Sequence, residues 1–239
     1  MKHGSRWSRA AAVGVVALAL SGCATTGSVS KDDPFEPWNR AMYDVNEVVD
    51  GKVVKPAVQA YVDYTPKPIQ QVIRNFFGNI EDLISAINGF LSNKPDKAGN
   101  DLGRVILNTL AGIGGLIDVA SDAGIPKGNL DFGLTFGAWG FPQGPYLFVP
   151  LIGPTTVRDG TGLIVRAYAG PVGYLSDVPT RNVLIGVGAV DLRAQALEAE
   201  SLIDQAALDR YTFIRRSYLQ RRQYLLYNGK VPPEKEEPQ

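Results

Sequence analysis

From Pro68 onward, apolar side chains recur at Ile69, Val72, Ile73, Phe76, Ile80, Leu83, Ile84, Ile87 and Leu91. Steps of three and four residues keep one stripe of a helix apolar, which predicts a long amphipathic helix with Gly78 as a point of kinking. Such a stripe ordinarily faces a core. Leu102, Ile106, Leu110, Ile113 and Ile117 renew the period across residues 96–120, and Gly112, Gly114 and Gly115 at its end permit close helix packing. Upstream, Trp38, Ala41, Met42, Val45 and Val49 follow Pro37 at helical spacing, with Pro56 and Pro66 as punctuation. Downstream of Pro179, residues 180–227 read as one long helical run. Alternating strand patterns are scarce and no solenoid-length repeat occurs, so the fold class expected is mainly α.

One stretch resists this reading. Residues 132–157 carry no charged side chain, a length that would cross a bilayer, since a spanning helix needs roughly 20 apolar residues. Pro142, Pro145, Pro150 and Pro154 forbid a continuous helix, so the stretch turns repeatedly while presenting Tyr146, Leu147, Phe148, Val149, Leu151 and Ile152. Two readings stay open: a buried loop in a water-soluble core, or irregular apolar backbone held at membrane depth. Residues 105–117 are also uncharged but too short to span, and are half-spanning or buried. Gly133, Gly137 and Gly140 put small residues on roughly one helical face.

The start of the chain bears on the choice. Lys2, Arg6 and Arg9 precede the apolar run 10–20, and Leu20, Ser21, Gly22 and Cys23 follow, the layout of an export signal over residues 1–22. Its end resembles the lipobox of bacterial lipoproteins, which makes the single cysteine, Cys23, the lipid anchor and the mature N-terminus. Several acyl chains make a durable anchor, where one alone is marginal. Ala24, where an aspartate would retain the protein at the inner membrane, resembles an outer-membrane address. Residues 23–31 form a lipidated flexible spacer, 32–228 a single helical domain, and 229–239 a proline-rich, charged, disordered tail.

Loss of the signal leaves 21 basic against 24 acidic residues, which argues against nucleic acid as a partner. His3, the only histidine, leaves with it. Ser-His, Cys-His and His-ligated zinc chemistry are thereby excluded, and no cofactor, metal site or catalytic residue is expected. An enzyme of lipids or glycans built on paired carboxylates among Asp118, Asp131 and Asp159 is the remaining catalytic alternative. In the last helical run Arg210, Arg215, Arg216, Arg221 and Arg222 interleave with Tyr211, Tyr218 and Tyr224. That pattern suits phosphate headgroups or an acidic protein partner, or a solvated face with its tyrosines turned inward.

Taken together, the segments DPFEPWNRAMYDVN (33–46), GRVILNTLAGIGGLIDVASDAGI (103–125), DFGLTFGAWG (131–140), GPYLFVPLIGPTTVRDG (144–160) and DRYTFIRRSYLQRRQY (209–224) resemble the MlaA/VacJ family of outer-membrane lipoproteins. The resemblance runs in order through nearly the whole mature chain. It implies a ring-like assembly of short amphipathic helices around a central channel, with a proline-rich apolar hairpin. It also implies a place in the inner leaflet of the outer membrane beside a porin trimer. There the protein would remove phospholipid that has strayed into the outer leaflet and pass it to a soluble periplasmic carrier, without covalent chemistry. By position, the hairpin falls on residues 144–160 and the channel-lining helix on 155–175. Tyr146, Phe148, Arg158, Asp159 and Arg166 are then expected along the lipid path, although the residues alone read Arg158 and Asp159 as a structural turn or ion pair, and Arg215, Arg216, Arg221 and Arg222 at a partner or headgroup contact. A scaffolding lipoprotein without a lipid path is the alternative.

Overall fold

The computed structural model describes residues 33–230; Cys23, the signal, the spacer and all but the first two residues of the expected tail lie outside them. Helix α1, Glu36–Val49, does not stop at Pro56. It passes through a π turn, Asp50–Val54, into α2, Lys55–Tyr64. A proline there removes the amide that would serve the carbonyl four residues back. Widening by one residue keeps the ladder intact, with the Lys55 amide bonding to the Asp50 carbonyl. Pro66 does stop the chain: Thr65 before it is extended, as a residue preceding proline prefers. Helix α3, Lys67–Leu91, runs unbroken past Gly78, and α4, Pro95–Leu110, packs back along it. Gly89 makes the crossing tight, since a Cβ there would lie 2.8 Å from that of Ala98. Helix α4 ends well before residue 120 because Ile113, Gly114 and Gly115 all take positive φ.

After the short α5, Val119–Asp122, and α6, Phe132–Ala138, the uncharged stretch becomes an antiparallel hairpin, β1 Tyr146–Val149 with β2 Gly153–Thr156. The sequence reading foresaw the turning but not the strands. Tyr146 and Phe148 point inward while Leu147 and Val149 are half-buried, a two-residue alternation in so short a run that proline content masks it. Thr156 then caps α7, Val157–Ala169. A 3-10 turn, Pro171–Tyr174, leads to α8, Val178–Ala206, and α9, Arg210–Leu226. The single run expected over 180–227 is therefore two helices. Asp209, whose side chain accepts from the Thr212 amide, marks the restart.

Packing inverts the usual arrangement. In α4 the apolar stripe Leu102, Ile106 and Leu110, with Ile113 and Ile117 beyond its end, is exposed, whereas Ala98, Asp101, Arg104 and Asn108 are buried. In α3 only Ile84 of the long stripe is buried, alongside Gln70, Asp82, Ser85 and Asn88. The rest of the stripe expected to be core is half-buried or, at Ile69, Ile87 and Leu91, exposed. An apolar cluster does exist, Tyr146, Phe148 and Tyr211 with Met42, Tyr43, Tyr218 and Leu219, but it is small. Asn39 serves this cluster as a backbone substitute: fully buried, it donates to the Tyr146 carbonyl at 3.0 Å and accepts from the Phe148 amide at 2.9 Å, covering the free edge of β1. No helix among the described residues is long and apolar enough to cross a membrane. An exposed apolar skin around a paired polar interior is what a protein lying against hydrocarbon requires.

Candidate functional site

Three ionic nodes hold the interior. Arg104, with no exposed surface, donates to Asp82 at 2.9 Å, to both oxygens of Asp118 at 2.8 and 2.9 Å, and to the Ile125 carbonyl at 2.8 Å. Burial pushes the Asp82 carboxyl up despite this partner. Around Asp118 burial also acts upward, but Ser121, Asn108 and Arg104 outweigh it and hold the group at about 2. Arg222 forms the second node, bonding both oxygens of Asp131 and, at 2.7 Å, Asp159. Tyr218 donates to the other oxygen of Asp159 at 2.8 Å. Burial raises Asp131, yet the bidentate guanidinium and the amides at the start of α6 outweigh it, so the carboxyl is held below its usual range. In the third node Asp33 accepts from Tyr211, Asn39 and Arg215, tying the beginning of the described chain to α9.

Glycines make the second node possible. A Cβ on Gly162 would lie 2.4 Å from the Gly133 amide nitrogen, and one on Gly133 would lie 2.5 Å from Asp159 Oδ1. Close approach of α6 and α7 leaves room for Arg222 between their carboxylates.

Beside this node opens a cavity of about 910 Å³ bounded by α3, residues 127–131, the end of α7, the 3-10 turn, α8 and α9. Its wall is divided. Phe77, Ile80, Ile84, Leu184, Ile185 and Leu225 give an apolar lining, while Arg74, Lys127, Arg166, Arg221 and Arg222 supply five cations against the three carboxylates Glu81, Asp131 and Asp191. Arg166 is bonded to Glu81 across the cavity lining, with both side chains part exposed. Such a space accepts a molecule with a long apolar part and an anionic head.

A profile of the MlaA lipoprotein family matches residues 31–225. The chain belongs to the MlaA lipoprotein family. It is similar to the intermembrane phospholipid transport system lipoprotein MlaA of Escherichia coli K12, 32% identical over 235 residues, covering 95% of this chain and 92% of that protein. The counterpart in Haemophilus influenzae is 36% identical over 228 residues, covering 92% and 91%. Among solved structures, a chain reported under "Structural basis for maintenance of bacterial outer membrane lipid asymmetry" superposes with a TM-score of 0.71 at 34% identity, over 82% of this chain and all of the other.

Within this family fold the expected residues separate. Arg166 lines the cavity. Arg158 and Asp159 do not; they are buried beside it and paired, and Asp159 reaches the wall only through Arg222. Tyr146 and Phe148, expected on the lipid path, sit in the aromatic cluster, where Tyr43 meets Phe148 edge-on at 5.3 Å. Alternation along β1 turns them inward. Arg215 and Arg222, expected at a partner face, are buried as counter-ions of Asp33, Asp131 and Asp159, so only Arg216 and Arg221 of that group are exposed. Two carboxylates do converge, Asp131 and Asp159, but both are consumed by Arg222 and neighbouring donors, and Asp118 belongs to a different node. Arg74, Lys127 and the α8 wall were missed. Arg74 and Lys127 are single cations in ordinary polar positions, and only the packing of α3 against α8 and the 127–131 segment brings them to one space.

Proposed function

We propose that this chain is the membrane-bound lipoprotein of an intermembrane phospholipid transport system and acts without covalent chemistry. Anchored through Cys23 in the inner leaflet of the outer membrane beside a porin trimer, it takes phospholipid from the outer leaflet and hands it to a soluble periplasmic carrier. Its helices surround the passage, and the hairpin 144–160 seats the assembly in the leaflet. The observation that carries this reading is the divided cavity inside an inverted protein. The apolar skin suits acyl chains outside, and the cavity pairs an aliphatic wall with cations, so a headgroup can pass without being stripped of polar partners. A scaffold would need the skin but not the cavity.

The test is Arg166→Glu, which sets two carboxylates facing each other where Arg166 now meets Glu81. In cells lacking their own family member, the variant is expected to leave phospholipid in the outer leaflet at the level of the empty strain, while the protein still reaches the membrane. Wild-type lipid distribution with the variant would overturn the passage.

A further inference from the structure

Two of the five cations that line the cavity already have partners. Arg166 is bonded to Glu81, and Arg222 to Asp131 and Asp159. The side chains of Arg74, Lys127 and Arg221 make no hydrogen bond or ion pair with another described residue; Arg221 is exposed, whereas the Nε of Arg74 is buried without an acceptor. A buried guanidinium donor left unmatched is costly, and its natural complement is an oxyanion. Arg74 and Lys127 lie close along α3. Lys127 reaches over Gly78, where an added Cβ would stand 2.6 Å from its Nζ. Gly78 is one turn beyond Arg74 on the same helix face, a rise of about 6 Å. Two cations at this spacing, facing one cavity, can hold a tetrahedral anion between them.

The neighbours restrict which anion. Three carboxylates share the lining: Glu81, a further turn along the same face, is neutralised by Arg166 and Asp131 by Arg222, while Asp191 accepts from Tyr61 and Gln195. Phe77 and Ile80 also line the cavity from α3, and Leu184 and Ile185 line it from α8. A free phosphate would leave this apolar wall facing water, whereas a phosphodiester carrying acyl chains covers it.

We propose that Arg74 and Lys127 form a phosphate subsite for the headgroup of the transported lipid, in the cavity that the Arg166–Glu81 pair also lines. This rests on the phospholipid-transport reading above and adds to it the chemical group recognised and the residues that recognise it.

The experiment uses the full lipidated chain in detergent micelles and measures equilibrium binding of fluorescent phosphatidylglycerol, of a diacylglycerol with the same chains but no phosphate, and of inorganic phosphate as competitor. Arg74→Gln with Lys127→Gln is expected to weaken phosphatidylglycerol binding about ten- to a hundredfold, the effect of losing charge-assisted bonds, and to leave diacylglycerol unchanged. The charge-keeping pair Arg74→Lys and Lys127→Arg is expected to restore most of the affinity, which a folding defect would not allow. Phosphatidylglycerol held equally by the double glutamine variant and the wild type would overturn the subsite and leave the lipid passage standing. Inorganic phosphate displacing the lipid at equal concentration would make this a free-anion site and overturn the headgroup assignment. Failure of the wild type to bind either lipid would overturn both this proposal and the reading beneath it.

Discussion

Replacing Arg104 with methionine keeps the volume and removes the charge at the centre of the first ionic node. Asp82 then loses its only bonded partner; it is 1% exposed, and its Oδ1 already has no hydrogen-bond partner. Asp118 also loses two bonds, but its side chain is 23% exposed and keeps Ser121 and Asn108. The loss is thus concentrated on one stranded carboxylate, and breaking such a buried pair from one side costs about 3–5 kcal/mol. Burial already raises Asp82 with its partner present, so removing Arg104 raises it further. A carboxyl whose folded value lies above its unfolded one adds stability at low pH and loses it as pH rises through the folded value. The deficit of the variant should therefore be smaller at pH 5 than at pH 8. Chemical unfolding of the mature chain in mild detergent, followed by circular dichroism at both pH values, measures it. Adding Asp82→Leu should recover most of the stability, because an apolar pair replaces an ionic one at little cost once both partners change. A loss under about 1 kcal/mol that is independent of pH would refute the claim that buried ion pairs organise this interior.

Other outcomes follow from the same contacts. Gly162→Ala should destabilise the protein by about 1–3 kcal/mol and disturb the Arg222 node, because its Cβ meets the α6 backbone rather than a movable side chain; a midpoint equal to wild type would deny the close crossing. Asp118, held at about 2, contributes stability that is fully present above the ordinary carboxylate range and lost as pH falls from about 4 towards 2. Asp118→Asn should accordingly flatten the acid limb of the unfolding curve in that window, and an unchanged limb would contradict it. At the hairpin tip Leu151 and Ile152 are 68% and 61% exposed. In a Cys23→Ala background that removes the proposed anchor, Ile152→Lys should weaken sedimentation with phospholipid vesicles about tenfold, and undiminished association would exclude the tip from lipid contact.

Much of the helical pattern could be read from the chain, because steps of three and four in α1, α3 and α4 are long and regular. Which side of each helix faces inward could not. Periodicity locates an apolar stripe but does not name the solvent. The stripe of α3 reads as a core face, yet Asp82, Ser85 and Asn88 are buried on its other side. The same blindness hid the site. Arg158 and Asp159 attract attention as a charged pair after an uncharged stretch, yet they face each other, while the isolated Arg74 and Lys127 face the cavity. Arg215 and Arg222 seemed a surface charge run because their counter-ions, Asp33, Asp131 and Asp159, are 63 or more positions away along the chain. A local signal fared better at Pro66, which ends α2; the caps Thr156, which starts α7, and Asp209, which divides a run that apolar spacing joins, leave no trace in the period.

The account stands on phospholipid entering the interior rather than only coating the skin. A phospholipid with a photoreactive acyl chain, reconstituted with the lipidated protein in vesicles, irradiated and mapped by peptide mass, separates the two. Labels on Phe77, Ile80 and Ile84 of α3 and on Leu184 and Ile185 of α8 are predicted, in addition to the outer surface. Labels confined to exposed residues such as Leu110, Ile113 and Ile152, with none on the cavity wall, would contradict it.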